Sequence, residues 1–330
     1  MIVARKAGVR VERFSLGFGK RVFGIKKGNT EYILSIFPFG GYVKLAGDDP
    51  RESKGGDDEF FSKSPFKRFC IIAAGSLTNY VFAFLLFSII FMIGLPARTT
   101  YVGKLIAGYP AKESGLKEGD LIVSIDGKKV KYWNELLEAV GSNTEGRGMD
   151  FTVERGKRVR NFEITPRIVK TKNIFKQETT VGKIGIYPRE DFVFVKHNPF
   201  EAVALGGKQL FMLTGMTYKG LWLLLTGGMP VRESVTGPIG IAVLIGAAAK
   251  VGIVSLLMIM AHINVALAIF NLLPFPVLDG GHILFIAIEK LRGRPLTVKT
   301  QEVVSQAALY MLVAFALFVC WNDITKFFGR

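Results

Sequence analysis

The chemistry of this chain is concentrated in one run of twelve residues: Asn271-Leu272-Leu273-Pro274-Phe275-Pro276-Val277-Leu278-Asp279-Gly280-Gly281-His282. Two prolines remove backbone donors and break a helix, and an acid follows close behind. At membrane depth, freed backbone groups are tolerated only against protein or a wet cavity, and a carboxylate there is costly. Asp279 is therefore a candidate metal ligand or proton relay. A second reading stays open, in which Asp279 lies at the membrane surface and caps a helix beginning near Gly280, since Asp is a favoured N-cap. His282, three residues on, could share a helix face with Asp279, and His262 sits on the preceding apolar block, which makes a notional set of three ligands. Histidines in helix-rich interiors are more often simply hydrogen-bonded. The third histidine is His197, and Cys70 and Cys320 each fall inside apolar blocks, where they read as packing residues rather than as a disulfide or a thiolate metal site.

The elements that must position these residues are membrane helices. The 330 residues are 49% hydrophobic with a mean hydropathy of +0.32, and the apolar residues are gathered into long blocks. No charge occurs between Arg68 and Arg98, so Phe69 to Leu95 reads as a spanning helix, which needs about 20 apolar residues. Val251 to Leu278 and Val303 to Asn322 read as two more spans. Gln209 to Val231 and Val235 to Ala249 are interrupted by Gly, Pro and charge and read as interfacial or re-entrant. The formal charge of +16 is spread over several loops rather than along one stripe with stacking aromatics, which argues against nucleic acid. Gly17-Phe18-Gly19 and Thr236-Gly237-Pro238-Ile239-Gly240 lack the remaining features of nucleotide-binding loops. A transporter built on broken helices would show an internal repeat, and none is visible.

Between Tyr101 and about Pro188, periods of 3.6 and 2 alternate between glycines and charges, as in a small soluble domain. Gly115 and Gly119 suit turns with positive φ. Leu121, Val123 and Ile125 alternate as a half-buried strand, Asp126-Gly127 suits a hairpin turn, and Trp133 to Val140 reads as a helix. Basic residues in residues 1–68, and Lys290, Arg292, Arg294 and Lys299, put those segments in the cytoplasm and the soluble domain outside it. No secretory signal peptide is visible. Met1 to Gly8 reads as the last turn of a helix, with Arg5 and Lys6 at its C-terminus and a glycine stop.

The motif N-x-x-P-x-P-x-x-D-G followed by G-H resembles the third-helix signature of the site-2 protease family, closest to its bacterial RseP-like branch. Further segments are similar to that family: Val3-Ala4-Arg5-Lys6-Ala7-Gly8-Val9, Phe14-Ser15-Leu16-Gly17-Phe18-Gly19, Phe37-Pro38-Phe39-Gly40-Gly41-Tyr42-Val43, Ala74-Gly75-x-x-x-Asn79, Asn198-Pro199-Phe200-Glu201-Ala202 and Asn322-Asp323. Tyr109 to Gly127 looks like the centre of a protease-associated PDZ domain. The resemblance implies a polytopic α-helical membrane core with an inserted extracytoplasmic PDZ-like α+β domain. The expected segments are 1–68 (membrane-associated, with a β-hairpin), 69–97 (span), 98–190 (PDZ-like), 191–250 (membrane-edge and re-entrant), 251–278 (span with the motif), 279–302 (cytoplasmic loop) and 303–330 (span and tail).

The same resemblance implies an intramembrane zinc endopeptidase in the bacterial inner membrane. Its substrates would be single-span membrane proteins such as an anti-sigma factor or remnant signal peptides, with no role for nucleotide or nucleic acid. Asp279 would be the third zinc ligand, Asn271 would hydrogen-bond the substrate backbone or the developing oxyanion, and Glu31 to Leu45, bent at Gly40 and Gly41, would hold the unwound substrate by β-augmentation. Gly115 and Gly119 would belong to the peptide-binding PDZ region. The family's H-E-x-x-H, which carries two zinc ligands and the general base, is not found in these residues; by the family's spacing it would fall just upstream of Met1, so the chain is expected to be truncated and inactive as it stands. The competing expectation is a pseudoprotease that binds substrates without cutting them.

Overall fold

The computed structural model describes residues 1–49, 51, 53–294 and 296–328. In chain order the elements begin α1 (Ile2–Lys6), β1 (Val11–Lys27), β2 (Thr30–Leu45), α2 (Pro65–Ile93), β3 (Leu95–Arg98), β4 (Val102–Leu105) and α3 (Pro110–Glu113). They continue β5 (Leu121–Ile125), β6 (Lys128–Lys129), α4 (Trp133–Gly141), β7 (Met149–Arg155), β8 (Arg158–Ile164), β9 (Arg167–Lys172) and β10 (Glu178–Lys183). The remainder is β11 (Ile186–Pro188), β12 (Phe192–Val195), α5 (Pro199–Leu225), α6 (Val231–Ser234), α7 (Pro238–Val251), α8 (Ile253–Leu272), α9 (Asp279–Arg292) and α10 (Val298–Phe328). The chain divides into two compact units, Met1–Phe84 with Met260–Arg330, and Leu85–Ile259.

Among the described residues, four stretches are long and apolar enough to cross a membrane: Pro65–Ile93, Val231–Val251, Ile253–Leu272 and Val298–Lys326. The second was expected to be interfacial or re-entrant. Its interruptions at Ser234–Gly237 end one short helix and begin another, with Pro238 at the first position of α7, where a missing N–H costs nothing. The piece from Gln209 is instead part of the 27-residue helix α5, started by the Asn198 side chain accepting from the Glu201 amide at 2.9 Å and by Pro199 behind it. The expected loop 279–302 contains α9, a 14-residue helix that stops where Gly293 takes φ +69°, with Lys290 and Arg292 in its last turn.

In the first unit, β1 and β2 form an antiparallel pair that folds over on itself. Glu31–Leu34 pair with Arg13–Leu16 on one side and with Phe23–Lys26 on the other, while Gly41–Leu45 pair with Val11–Leu16. The expected edge strand, Glu31 to Leu45, is thus interior over its first residues and an edge only from Gly41 onward. A small core of Ala4, Val9, Val11, Leu45 and Phe60 joins α1 to this sheet, with Ile71 and Ile72 of α2 packed against it.

The second unit holds the soluble domain. Its four-stranded sheet runs β6-β5-β7-β8, and α4 closes a core containing Ile122, Trp133, Leu136, Phe151 and Val153. Asp126 and Gly127 take φ +49° and +74°, as a tight hairpin turn requires. The alternation expected in β5 does not hold: Ile122 and Ile125 are the buried residues, because a register shift between Ile122 and Ser124 flips the phase of the strand. Asp120 is fully buried, and its carboxylate accepts from Arg155 at 2.6 and 2.7 Å and from the Lys117 amide at 2.8 Å.

Candidate functional site

The break between α8 and α9 lies within the first unit. Helix α8 stops at Leu272, one residue past Asn271, and the chain turns back through Leu273 to Leu278 before α9 starts at Asp279. Phe275 donates its amide to Leu273 at 2.7 Å, Leu278 to Phe275 at 2.8 Å, and Gly281 to Leu278 at 3.0 Å, so the backbone freed by the prolines is satisfied inside the turn. The doubling back is so close that only glycine fits. A Cβ on Gly280 would lie 2.2 Å from the Leu273 carbonyl oxygen, and one on Gly281 would lie 2.2 Å from that of Phe275. The two glycines after Asp279 therefore let the end of α8, with Asn271, fold against the start of α9.

The Asp279 side chain does not cap this helix. Leu278 occupies the cap position without a side-chain hydrogen bond, and Asp279 is the first helical residue. Its Oδ2 instead accepts from the Ser76 hydroxyl of α2 at 3.0 Å. Ser76 is fully buried, while its neighbour Gly75 is exposed and brings its backbone so near that a Cβ there would sit 3.2 Å from the same oxygen. A hydroxyl thus fixes one carboxylate oxygen, a side-chain-free surface lies beside it, and the positive end of α9 favours the anion. A second tie lies further along the same two helices, where Arg68 of α2 pairs with Glu289 of α9 and its guanidinium sits over the Phe61 ring at 5.7 Å. The ties at Ser76 and Arg68 run in opposite order along α9, so α2 and α9 are antiparallel.

Ser76 and Arg68 were not singled out in the sequence. The signal for Ser76 is a lone hydroxyl beside Gly75 inside a charge-free span; Arg68 was read only as the edge of that span. His282 lies one turn from Asp279, edge-on to Phe285 at 6.3 Å. Among the described residues no group of three His, Cys, Asp or Glu side chains could hold a metal ion, so the notional set of Asp279, His282 and His262 is not brought together. Asn271 is half-buried at the end of α8. Gly40 takes φ +86° with its Cα beside the Phe18 ring, and Gly41 pairs with Leu16 so closely that a Cβ would lie 2.4 Å from the Ser15 carbonyl oxygen. The side chains of Pro38 and Phe39 lie outside the described residues.

In the second unit, Gly115 and Gly119 take φ +91° and +87° in the turn before β5, where the Gly115 carbonyl accepts from Arg155 at 2.9 Å. A cavity of about 360 Å³ opens elsewhere, between α4 and residues 182–187, lined by Ile106, Tyr109, Trp133, Leu136, Val140 and Ile186 among others. Neither glycine lines it.

The model of the peptidase family M50 matches residues 1–315 of this sequence. The chain belongs to peptidase family M50. As an M50 protein it is a metalloprotease of the site-2 type, and its relatives extend over nearly its whole length. A zinc metalloprotease of Agrobacterium fabrum is 33% identical, with 99% of this chain and 91% of the relative covered. The regulator of sigma-W protease RasP of Bacillus subtilis is 29% identical, with 99% and 94% covered. The metalloprotease MmpA of Caulobacter vibrioides is 30% identical, with 98% and 90% covered. Among solved structures, the PDZ domain of an SdrC-like protein of Listeria innocua is 25% identical over 28% of this chain and 96% of that one, with a TM-score of 0.23.

Proposed function

We propose that this M50 chain is an intramembrane zinc endopeptidase of the bacterial cytoplasmic membrane, acting on single-span membrane proteins such as an anti-sigma factor or remnant signal peptides. The observation that carries this reading is Asp279, held by Ser76 at a helix break whose glycines permit no other residue. Zinc is named in the relatives, but the described residues do not make a zinc site by themselves: they offer one oriented carboxylate with His282 one turn on, and no group of three ligands.

The chain's own residues account for positioning. Asp279 is pre-oriented by the Ser76 hydroxyl. Asn271, at the end of α8 where the chain doubles back, supplies an amide for the substrate backbone. The edge of β2 that begins at Gly41 offers main-chain donors and acceptors to a substrate strand, which must be extended because helical amides are hidden in internal hydrogen bonds. The remaining ligands and the general base would come from an H-E-x-x-H upstream of Met1. The soluble domain, outside the cytoplasm on this reading, would gate or bind substrate at the cavity beside α4.

The test is cleavage of a single-span reporter by the protein extended upstream of Met1, with and without Asp279→Asn. Cleavage lost in the variant supports the reading; cleavage that persists sinks it. The lack of a ligand triad among the described residues favours a second reading, a non-catalytic protein that captures membrane substrates. It predicts reporter binding without cleavage in the extended protein as well.

A further inference from the structure

The soluble domain is joined to the apolar helices by a ribbon that the assigned chemistry leaves unused. Helix α2 ends at Ile93, Gly94 turns the chain with φ +111°, and β3 begins at Leu95. On the return path β12 pairs with β3 alone, Phe192 opposite Arg98 and Phe194 opposite Pro96. Cross-strand partners share a face, so Pro96, Arg98, Phe192 and Phe194 form one side of the ribbon. That side is uncovered: Phe192 is 52% and Phe194 62% exposed. A two-stranded ribbon is marginal in water by itself.

The ribbon is nevertheless held in place at both ends. Next to the helix, the His197 amide donates to the Phe91 carbonyl at 3.1 Å and the His197 ring meets that of Phe91 edge-on. At the other end, Arg189 donates to both oxygens of Asp191 at 2.7 and 2.8 Å and stacks over Tyr101 at 4.1 Å. The Arg189 guanidinium holds the Asp191 carboxyl at a pKa of about 2, so this clamp stays charged under ordinary conditions.

We propose that the Pro96, Arg98, Phe192 and Phe194 face is a membrane-docking surface, seated in the headgroup layer of the leaflet from which α2 emerges. Three observations point to lipid as the occupant. The face follows directly on a helix long and apolar enough to span. Pro96 lies three residues past the end of that helix, about 10 Å at strand rise, which is comparable to the depth of the polar layer. Its composition is two aromatic rings and a cation, and the Arg98 guanidinium sits 5.1 Å from the Phe192 ring centre, so the stem covers apolar surface while the head reaches a lipid phosphate. The soluble domain would then be fixed in height over the membrane rather than tethered loosely.

The inference rests on α2 spanning the bilayer, and the experiment separates the two. The full chain, with Cys70→Ser and Cys320→Ser, is reconstituted in vesicles of phosphatidylethanolamine and phosphatidylglycerol. It carries one environment-sensitive dye at Phe194→Cys, Phe192→Cys, Phe82→Cys in α2, or Val159→Cys on the exposed strand β8. Docking predicts quenching of the 192 and 194 labels by lipids bearing a shallow nitroxide, and iodide quenching about fivefold weaker than at 159, as expected for side chains buried about 5–10 Å into the interface. Quenching by lipid at 82 but free access of iodide to 192 and 194 overturns the docking face alone. Absence of lipid quenching at 82 overturns the spanning reading as well. The two ribbon positions back each other should one variant fail to fold.

Discussion

The Ser76 hydroxyl, in the middle of α2, donates to Asp279 Oδ2 at the first residue of α9, 3.0 Å away and 203 positions along the chain. Groups that orient a metal-binding or catalytic carboxylate are worth about 10–100-fold in affinity or activity. Ser76→Ala in the protein extended upstream of Met1 is therefore expected to reduce reporter cleavage within that range, with thermal stability changed far less. A variant with full activity would show that the hydroxyl only packs.

Gly280 and Gly281 are expected to tolerate nothing larger. A Cβ at 2.2 Å from a backbone carbonyl oxygen cannot be relieved by a side-chain rotation, so Gly280→Ala or Gly281→Ala must open the turn between α8 and α9. Both variants should lose activity and fold poorly in detergent. Gly115→Ala is the control: its nearest neighbour would be 3.7 Å away, and only the positive φ is strained, at about 1–2 kcal/mol. A thermal melt of the three proteins decides the ranking.

The antiparallel register of α2 and α9 depends on a second contact, between Arg68 and Glu289. Arg68 is buried, and removing one member of a buried pair leaves the other uncompensated, at about 3–5 kcal/mol. Arg68→Met should destabilise more than the double variant Arg68→Met with Glu289→Leu. Additive losses in a double-mutant cycle, with the double variant destabilised by the sum of the two single variants, would show that the pair is not coupled.

In the soluble domain, burial pushes the Asp120 carboxyl up, but the Arg155 hydrogen bonds and the Lys117 amide outweigh it and leave it below the ordinary carboxylate range. A carboxyl depressed in the folded state stabilises above its unfolded pKa, about 3.9, and that stabilisation is lost as the pH falls through the folded value. Asp120→Asn should cost about 2 kcal/mol at neutral pH, and the gap from the parent protein should narrow below about pH 4. Melting curves across pH read this directly; a gap independent of pH would assign the loss to packing.

The sequence revealed the parts of the fold that depend on local chemistry. Charge-free length identified α2, α8 and α10, paired prolines located the break, and Asp126-Gly127 located a hairpin turn. It also identified Asp279 as a costly acid. What it hid depends on contacts between distant segments. The phase of β5 was misjudged because a bulge, not composition, decides that Ile122 faces the core. Glu31–Leu34 reads as an edge from the sequence because nothing local says that β1 folds back to cover it. The partner of Asp279 was missed because Ser76 is ordinary in isolation and becomes informative only when α9 lies against α2.

The most direct test of the central claim is the zinc content of the protein extended upstream of Met1, compared with its Asp279→Asn variant and with the 330-residue chain. The account predicts about one zinc per protein in the extended form, as expected for a catalytic site with three protein ligands, and little in the other two. Equal zinc in the Asp279→Asn variant, or a full complement in the 330-residue chain, would contradict it.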